Sequence, residues 1–153
     1  MEVFARELAS HELFQELKPL FIIHEMTVSH HPDIPLDIDF DTFLAAETLD
    51  RLRLFTARDK ETNLVLGYSV FMVGNHLHKK QLKQAEESAL FILPEARGFG
   101  PRFITWTEQQ LFDEGVQVIV RNVKTRPDLN FSPMLERKGY ELREFVWFKR
   151  KGD

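Results

Sequence analysis

The chain has 153 residues, no cysteine and a hydrophobic fraction of 43%, enough for one compact core without disulfide or metal staples. Twenty basic residues against 24 acidic ones leave a formal charge of −4; this argues against a nucleic-acid partner, and the missing thiols exclude cysteine nucleophiles and Cys-ligated zinc. No apolar run approaches ~18 residues and the opening MEVFAREL has no leader-like apolar segment, so the expectation is a cytoplasmic protein with no membrane partner.

Val3 to Leu8 predicts an edge strand. Ser10 can cap a helix whose Leu13, Leu17, Leu20, Phe21 and His24 recur at helical spacing, with Pro19 kinking or splitting it. Ser29 to Asp41 reads as a loop, and Asp41 as the cap of a second helix carrying Leu44, Ala45, Thr48 and Leu49. From Leu52 the period becomes two, with a turn over Arg58 to Asn63. Leu64 to Val73 is a nearly continuous apolar run and predicts a buried central strand. A connector over Asn75 to Gln84 leads to a strand over Ala85 to Leu93, which Pro94 ends.

A third helix is expected through about Glu114, closed by Gly115. Val116 to Val123 is β-branched and predicts a further buried strand. Ser132-Pro133 opens a short helix that Gly139 closes, and Glu141 to Phe148 alternates like a final strand. Trp106, Phe131 and Trp147 read as core residues. The fold class is mixed α/β: an antiparallel meander joined to a strand–helix–strand crossover, with about six or seven strands and four helices in one domain, 1–153. A crossover this short makes Ala85–Leu93 and Val116–Val123 parallel.

The segment with chemistry in it is Leu93-Pro94-Glu95-Ala96-Arg97-Gly98-Phe99-Gly100-Pro101-Arg102, where a strand turns into a helix. Helix N-termini favour anions. Gly98 and Gly100 put no Cβ in the way of a ligand, and Arg97 and Arg102 offer charge-assisted bonds to phosphate oxygens. An ordinary turn with solvated arginines explains the same letters. No P-loop and no early G-x-G-x-x-G is present.

With its context, this segment resembles the GNAT superfamily of acyl-CoA-dependent N-acyltransferases. Arg97-Gly98-Phe99-Gly100-Pro101-Arg102 stands where that family has Q/R-x-x-G-x-G/A. Leu90 to Glu95 is similar to its strand ending in L-x-V-x-P, and Met134 to Tyr140 to its L-Y-E-K-x-G-F corner. Gly67-Tyr68 matches a dipeptide that opens the family's long third strand. His76-Leu77-His78 and Pro35-Leu36-Asp37 resemble a phage-borne subgroup. Three positions depart: Pro101 has no N–H to offer a diphosphate, Arg102 replaces the usual final Gly or Ala, and Leu135 stands where many members carry a tyrosine acid.

The resemblance implies acetyl-CoA as co-substrate, with no metal, and an amine acceptor. It places pantetheine along Phe91 and Ile92, and the diphosphate at Arg97, Gly98, Phe99, Gly100 and Arg102, with Asn130 as a further cofactor contact. Bulk at Gly100 would then block the diphosphate seat. It also admits a homodimer. Glu86 and Glu87 lie on opposite faces of one strand, and either can be the base, since alternation fails wherever a bulge intervenes. His76 and His78 share one side of an extended segment as substrate contacts or as plain connector; a metal reading lacks a third ligand. Asp37, in an acidic loop with Asp33, Asp39 and Asp41, favours a cationic acceptor, a small molecule or a protein amine, although capping and solvation explain the loop as well. The alternative function, suggested by Leu135 and Pro101, is a catalytically silent GNAT-like interaction module, phage-encoded and directed at a host protein.

Overall fold

The computed structural model describes residues 1–126 and 130–152, and the chain falls into two compact units, Met1–Asn122 and Val123–Asp153. In the first unit the order is β1 (Glu2–Glu7), α1 (His11–Val28), α2 (Phe40–Thr48), β2 (Leu52–Asp59), β3 (Val65–His76), β4 (Lys79–Ile92), a 3-10 turn (Pro94–Phe99), α3 (Gly100–Asp113) and β5 (Val118–Val120). The five strands form one sheet in sequence order. β1 to β4 are antiparallel neighbours, and β5 joins β4 in parallel, as the crossover demands.

Each face of this sheet carries its own apolar layer. Leu54, Tyr68, Val70 and Phe91 pack under Leu13, Phe14, Leu17 and Phe21 of α1. On the opposite face, Phe55, Phe71, Val73 and Ala85 pack under Phe103 and Leu111 of α3. The nearly continuous apolar run of β3 follows from this, since a strand covered on both faces has no side left for polar residues.

α1 is capped by the Ser10 hydroxyl, which accepts from the Leu13 N–H at 3.1 Å. Pro19 does not split it. Pro19 and Gln15 both lie on the exposed face, so the carbonyl left without its helical partner is where water can serve it. The cap of α2 is Asp39 rather than Asp41: the Asp39 carboxylate accepts from the Thr42 N–H at 3.0 Å and from its hydroxyl at 2.6 Å, and these bonds hold it below the usual carboxylate range. The expected connector Asn75 to Gln84 is instead a hairpin, turning at Leu77 and His78. β5 is shorter than Val116–Val123 and partly exposed, because it is the last strand of the sheet.

The second unit holds α4 (Ser132–Arg137). Phe131, not Ser132, is its cap residue. Its end is a Schellman turn: Gly139, at φ 89°, donates to the Glu136 carbonyl and Tyr140 to that of Leu135, both at 3.0 Å. Glu141 to Phe148 is not a strand, and Trp147 is 90% exposed rather than core. Among its described residues this unit contains no strand, so the alternating segment has no ladder partner within it. Among the described residues the sheet therefore has five strands instead of the expected six or seven, and there are four α-helices.

Candidate active site

The site is organised by one extra residue in β4. Val70 pairs with Ala89 and Phe71 with Glu87, which leaves Ser88 as a bulge; its hydroxyl donates to the Val70 carbonyl at 3.3 Å. The bulge reverses the strand's parity. Past it, Ala89 and Phe91 face α1 and α2; before it, Glu87 and Ala85 face α3. Glu86, paired with Met72, is exposed on the α1–α2 side.

The two glutamates thus have different fates. Glu87 is buried, 4% exposed, beside the fully covered guanidinium of Arg121. It accepts from the Ser69 hydroxyl at 2.9 Å and from Arg121. Arg121 also reaches the Thr107 hydroxyl at 3.3 Å and the Glu108 carboxylate at 3.8 Å, and lies over the Phe71 ring. Burial pushes the Glu87 carboxyl up, to about 7, against the pull of Arg121 and Ser69. Nothing in the sequence marks Arg121 or Ser69 as its partners, because 34 and 18 residues separate them from it.

Glu86 also marks where the parallel strands part. The β4–β5 ladder covers Gln84–Glu86 against Val118–Val120, while β4 runs on to Ile92. At the next position side chains replace the ladder: Arg121 grips the Glu87 carboxylate, and the Asn122 amide donates to the Glu87 carbonyl at 3.4 Å. Phe91 and Ile92 lie on this further stretch. Phe91 is buried, its ring stacked on His24 at 4.9 Å, and Ile92 packs into the α3-side layer. His24, read from sequence only as a helix-face residue, shares a 2.6 Å hydrogen bond with the buried Tyr68 hydroxyl.

At the β4–α3 corner the helical path starts earlier than α3 itself. Residues Pro94–Phe99 form a 3-10 turn, with the Ala96 N–H on the Leu93 carbonyl at 2.8 Å and the Gly100 N–H on the Arg97 carbonyl. The Gly100 amide is thus already engaged, and an anion seat cannot count on it. Gly98 is open: a side chain there would meet nothing within 4 Å. Gly100 is buried and faces Ile92, so bulk at Gly100 would press on packed side chains, and Gly98 is the cleaner probe of this corner. Phe99 is buried in the core, Arg97 is oriented by a 3.4 Å bond from its Nε to the Ile92 carbonyl, and Arg102 pairs with Glu2.

The other candidates are dispersed. His76 and His78 flank the β3–β4 hairpin tip with ring centroids 5.9 Å apart. Along β3, His76 at the hairpin end lies five residues from Phe71, the partner of Glu87, roughly 17 Å at ~3.3 Å per residue, so the structure does not bring these histidines to the glutamates. Among the described residues no group of three His, Asp or Glu side chains is placed to hold a metal. Asn130, in the second unit, accepts from the Ser132 N–H at 3.0 Å, and Leu135 is buried. Asp37 is exposed on the α1–α2 loop between Leu36 and Ile38, which line a cavity of about 160 Å³ against Val70 and Ala89.

The fold of this chain recurs in solved acetyltransferases. The chain matches a ribosomal-protein-alanine N-acetyltransferase from Brucella melitensis biovar Abortus at a TM-score of 0.75, 14% identity, over 100% of this chain and 99% of that one. The chain has the GNAT fold. An aminoglycoside acetyltransferase from an uncultured soil metagenomic sample, in complex with sisomicin, shares the GNAT fold at 0.71 and 16% identity, covering 97% and 95%. Glucosamine-6-phosphate N-acetyltransferase from Arabidopsis thaliana does so at 0.69 and 11%, covering 97% and 99%. No family model and no curated protein matches the sequence.

Proposed function

We propose that the chain is an N-acetyltransferase that moves an acetyl group from acetyl-CoA to a primary amine. The observation that carries this reading is the parting of β4 and β5 after Glu86 and Val120, which leaves six residues of β4 beyond the ladder, ending at the open Gly98 corner. The residues present fit the co-substrate. The backbone edge up to Phe91 and Ile92 can pair with the amides of pantetheine as an added strand would. Arg97 and the bare Gly98 backbone suit the diphosphate, with Arg102 in reach once it leaves Glu2.

The thioester supplies the acyl group. An amine lone pair forms the new C–N bond and the C–S bond breaks. An alkylamine is mostly protonated at neutral pH, so a base must take its proton. Glu86, exposed on the α1–α2 face, has that role, directly or through water. Glu87, turned to the α3 face and held by Arg121, is a positioning residue. The bulge at Ser88 frees backbone N–H from the ladder to receive the developing oxyanion. With Leu135 in place of a tyrosine acid, the thiolate takes its proton from water; its low basicity, near that of a cysteine thiol at about 8.5, makes this feasible.

Calorimetry with acetyl-CoA and a thiol-release assay test the reading. Saturable binding is expected, with Gly98→Trp weakening it at least tenfold at an unchanged melting temperature. Glu86→Gln is expected to lower kcat by about 10²–10⁴-fold with little change in acetyl-CoA affinity. Absence of saturable binding at high micromolar acetyl-CoA would overturn it and leave an interaction module.

A further inference from the structure

The cavity on the α1–α2 face narrows the acceptor. Phe14, Phe21 and Phe43 wall it, and Val70 and Ala89 form its floor. Tyr68 brings the single hydroxyl among the lining side chains, and that hydroxyl is already bonded to His24. A sugar or polyamine placed here would lose water from its polar groups and gain no partners, at a cost in binding for each group. The cavity's volume, about 160 Å³, matches that of an apolar cavity of ~150 Å³ known to hold a benzene ring. Its surroundings are acidic: Asp37 stands between the lining residues Leu36 and Ile38, and Glu86 is exposed on the same face of the sheet. Ala89 is the first residue past the bulge, so a group seated on it lies beside the strand edge where acyl transfer would occur.

We propose that the acceptor is a primary ammonium compound with an apolar body the size of one ring, the body in this cavity and the nitrogen towards the acidic rim. This rests on the acyl-transfer reading for its chemistry, while its binding can be measured alone.

The test starts with 2-(4-fluorophenyl)ethylamine, followed by fluorine NMR and calorimetry without acetyl-CoA. It is expected to bind at least tenfold tighter than ethylamine or putrescine. Ala89→Leu, which fills the floor, should abolish that advantage while melting and acetyl-CoA affinity hold. Phe43→Ala, which widens the wall, should favour a naphthylethylamine over the phenyl compound, an exchange that mere loss of structure would not produce. In turnover, kcat/KM should follow the same order. Equal binding of the three amines, or a ring preference indifferent to Ala89→Leu, overturns the proposal. So does a hexanoyl-CoA preference over acetyl-CoA that Ala89→Leu removes, since the cavity would then seat the acyl chain. Ring-amine binding without acetyl-CoA binding would sink the transferase reading, and with it the acceptor role, leaving only an amine-binding cavity.

Discussion

Glu87 is costly to bury, and its surroundings compensate only in part. Its carboxyl stands above the ordinary 4.5, at about 7, because desolvation outweighs Arg121 and Ser69. An acid raised in this way contributes its full stability below pH 4.5 and loses it as pH rises through about 7. The stability of the protein relative to Glu87→Gln should therefore fall between pH 4.5 and 7, by no more than about 3 kcal/mol for such a shift. Urea denaturation of both proteins across that range checks it. A difference that grows with pH would mean that Arg121 holds the carboxylate ionised throughout. Nothing local in Glu86-Glu87 announces any of this, since both letters sit in the same polar stretch of one strand.

Among the elements, β4 is the one on which the others depend, and Gly67 of β3 lies tight against it. A Cβ at Gly67 would stand 2.9 Å from the Phe91 carbonyl oxygen and 3.0 Å from Ile92 Cγ1. Gly67→Ala should cost about 1–3 kcal/mol, as overpacking does, and should weaken acetyl-CoA binding, because the backbone pushed aside is the edge assigned to pantetheine. Gly74→Ala is the control: on the same strand, with nothing within 4 Å, it should change stability by at most about 0.5 kcal/mol. Much of the element order was legible, since the period-two run of β2, the continuous apolar run of β3 and the caps at Ser10, Gly115 and Gly139 are local signals. The segment Glu141 to Phe148 has the same period and is not a strand, because alternation states which sides could be buried and provides no partner.

Across the sheet-bearing unit, Met1–Asn122, an ion pair ties β2 to the far end of α3. Arg53 is 2% exposed; its Nε reaches Glu114 at 2.9 and 3.0 Å, and its Nη1 reaches the Asp50 and Leu52 carbonyls at 3.0 and 2.9 Å. Arg53 also pairs with the Asp50 carboxylate at 3.1 Å, so Glu114→Leu leaves the guanidinium partly compensated and should destabilise by roughly 1–3 kcal/mol. The double change Arg53→Met with Glu114→Leu should recover most of that loss, because two apolar side chains carry no desolvation cost. Thermal melts of the two variants decide it; equal losses would show that the charges act independently. The sequence offered Arg53 only as a polar residue in an alternating strand, and its partner 61 positions away comes beside it through the crossover alone.

By itself the sequence determined which segments coil and which extend, where several helices stop, and that the fourth and fifth strands run parallel, since each depends on residues within one turn or one short connection. It also placed the glycine corner after the fourth strand. The tertiary structure decided which glutamate meets solvent and which meets Arg121, and which glycine at the corner is open. One residue, Ser88, carries the first decision: a bulge forms where two strands must match lengths along a shared ladder, and that mismatch belongs to the pair of strands.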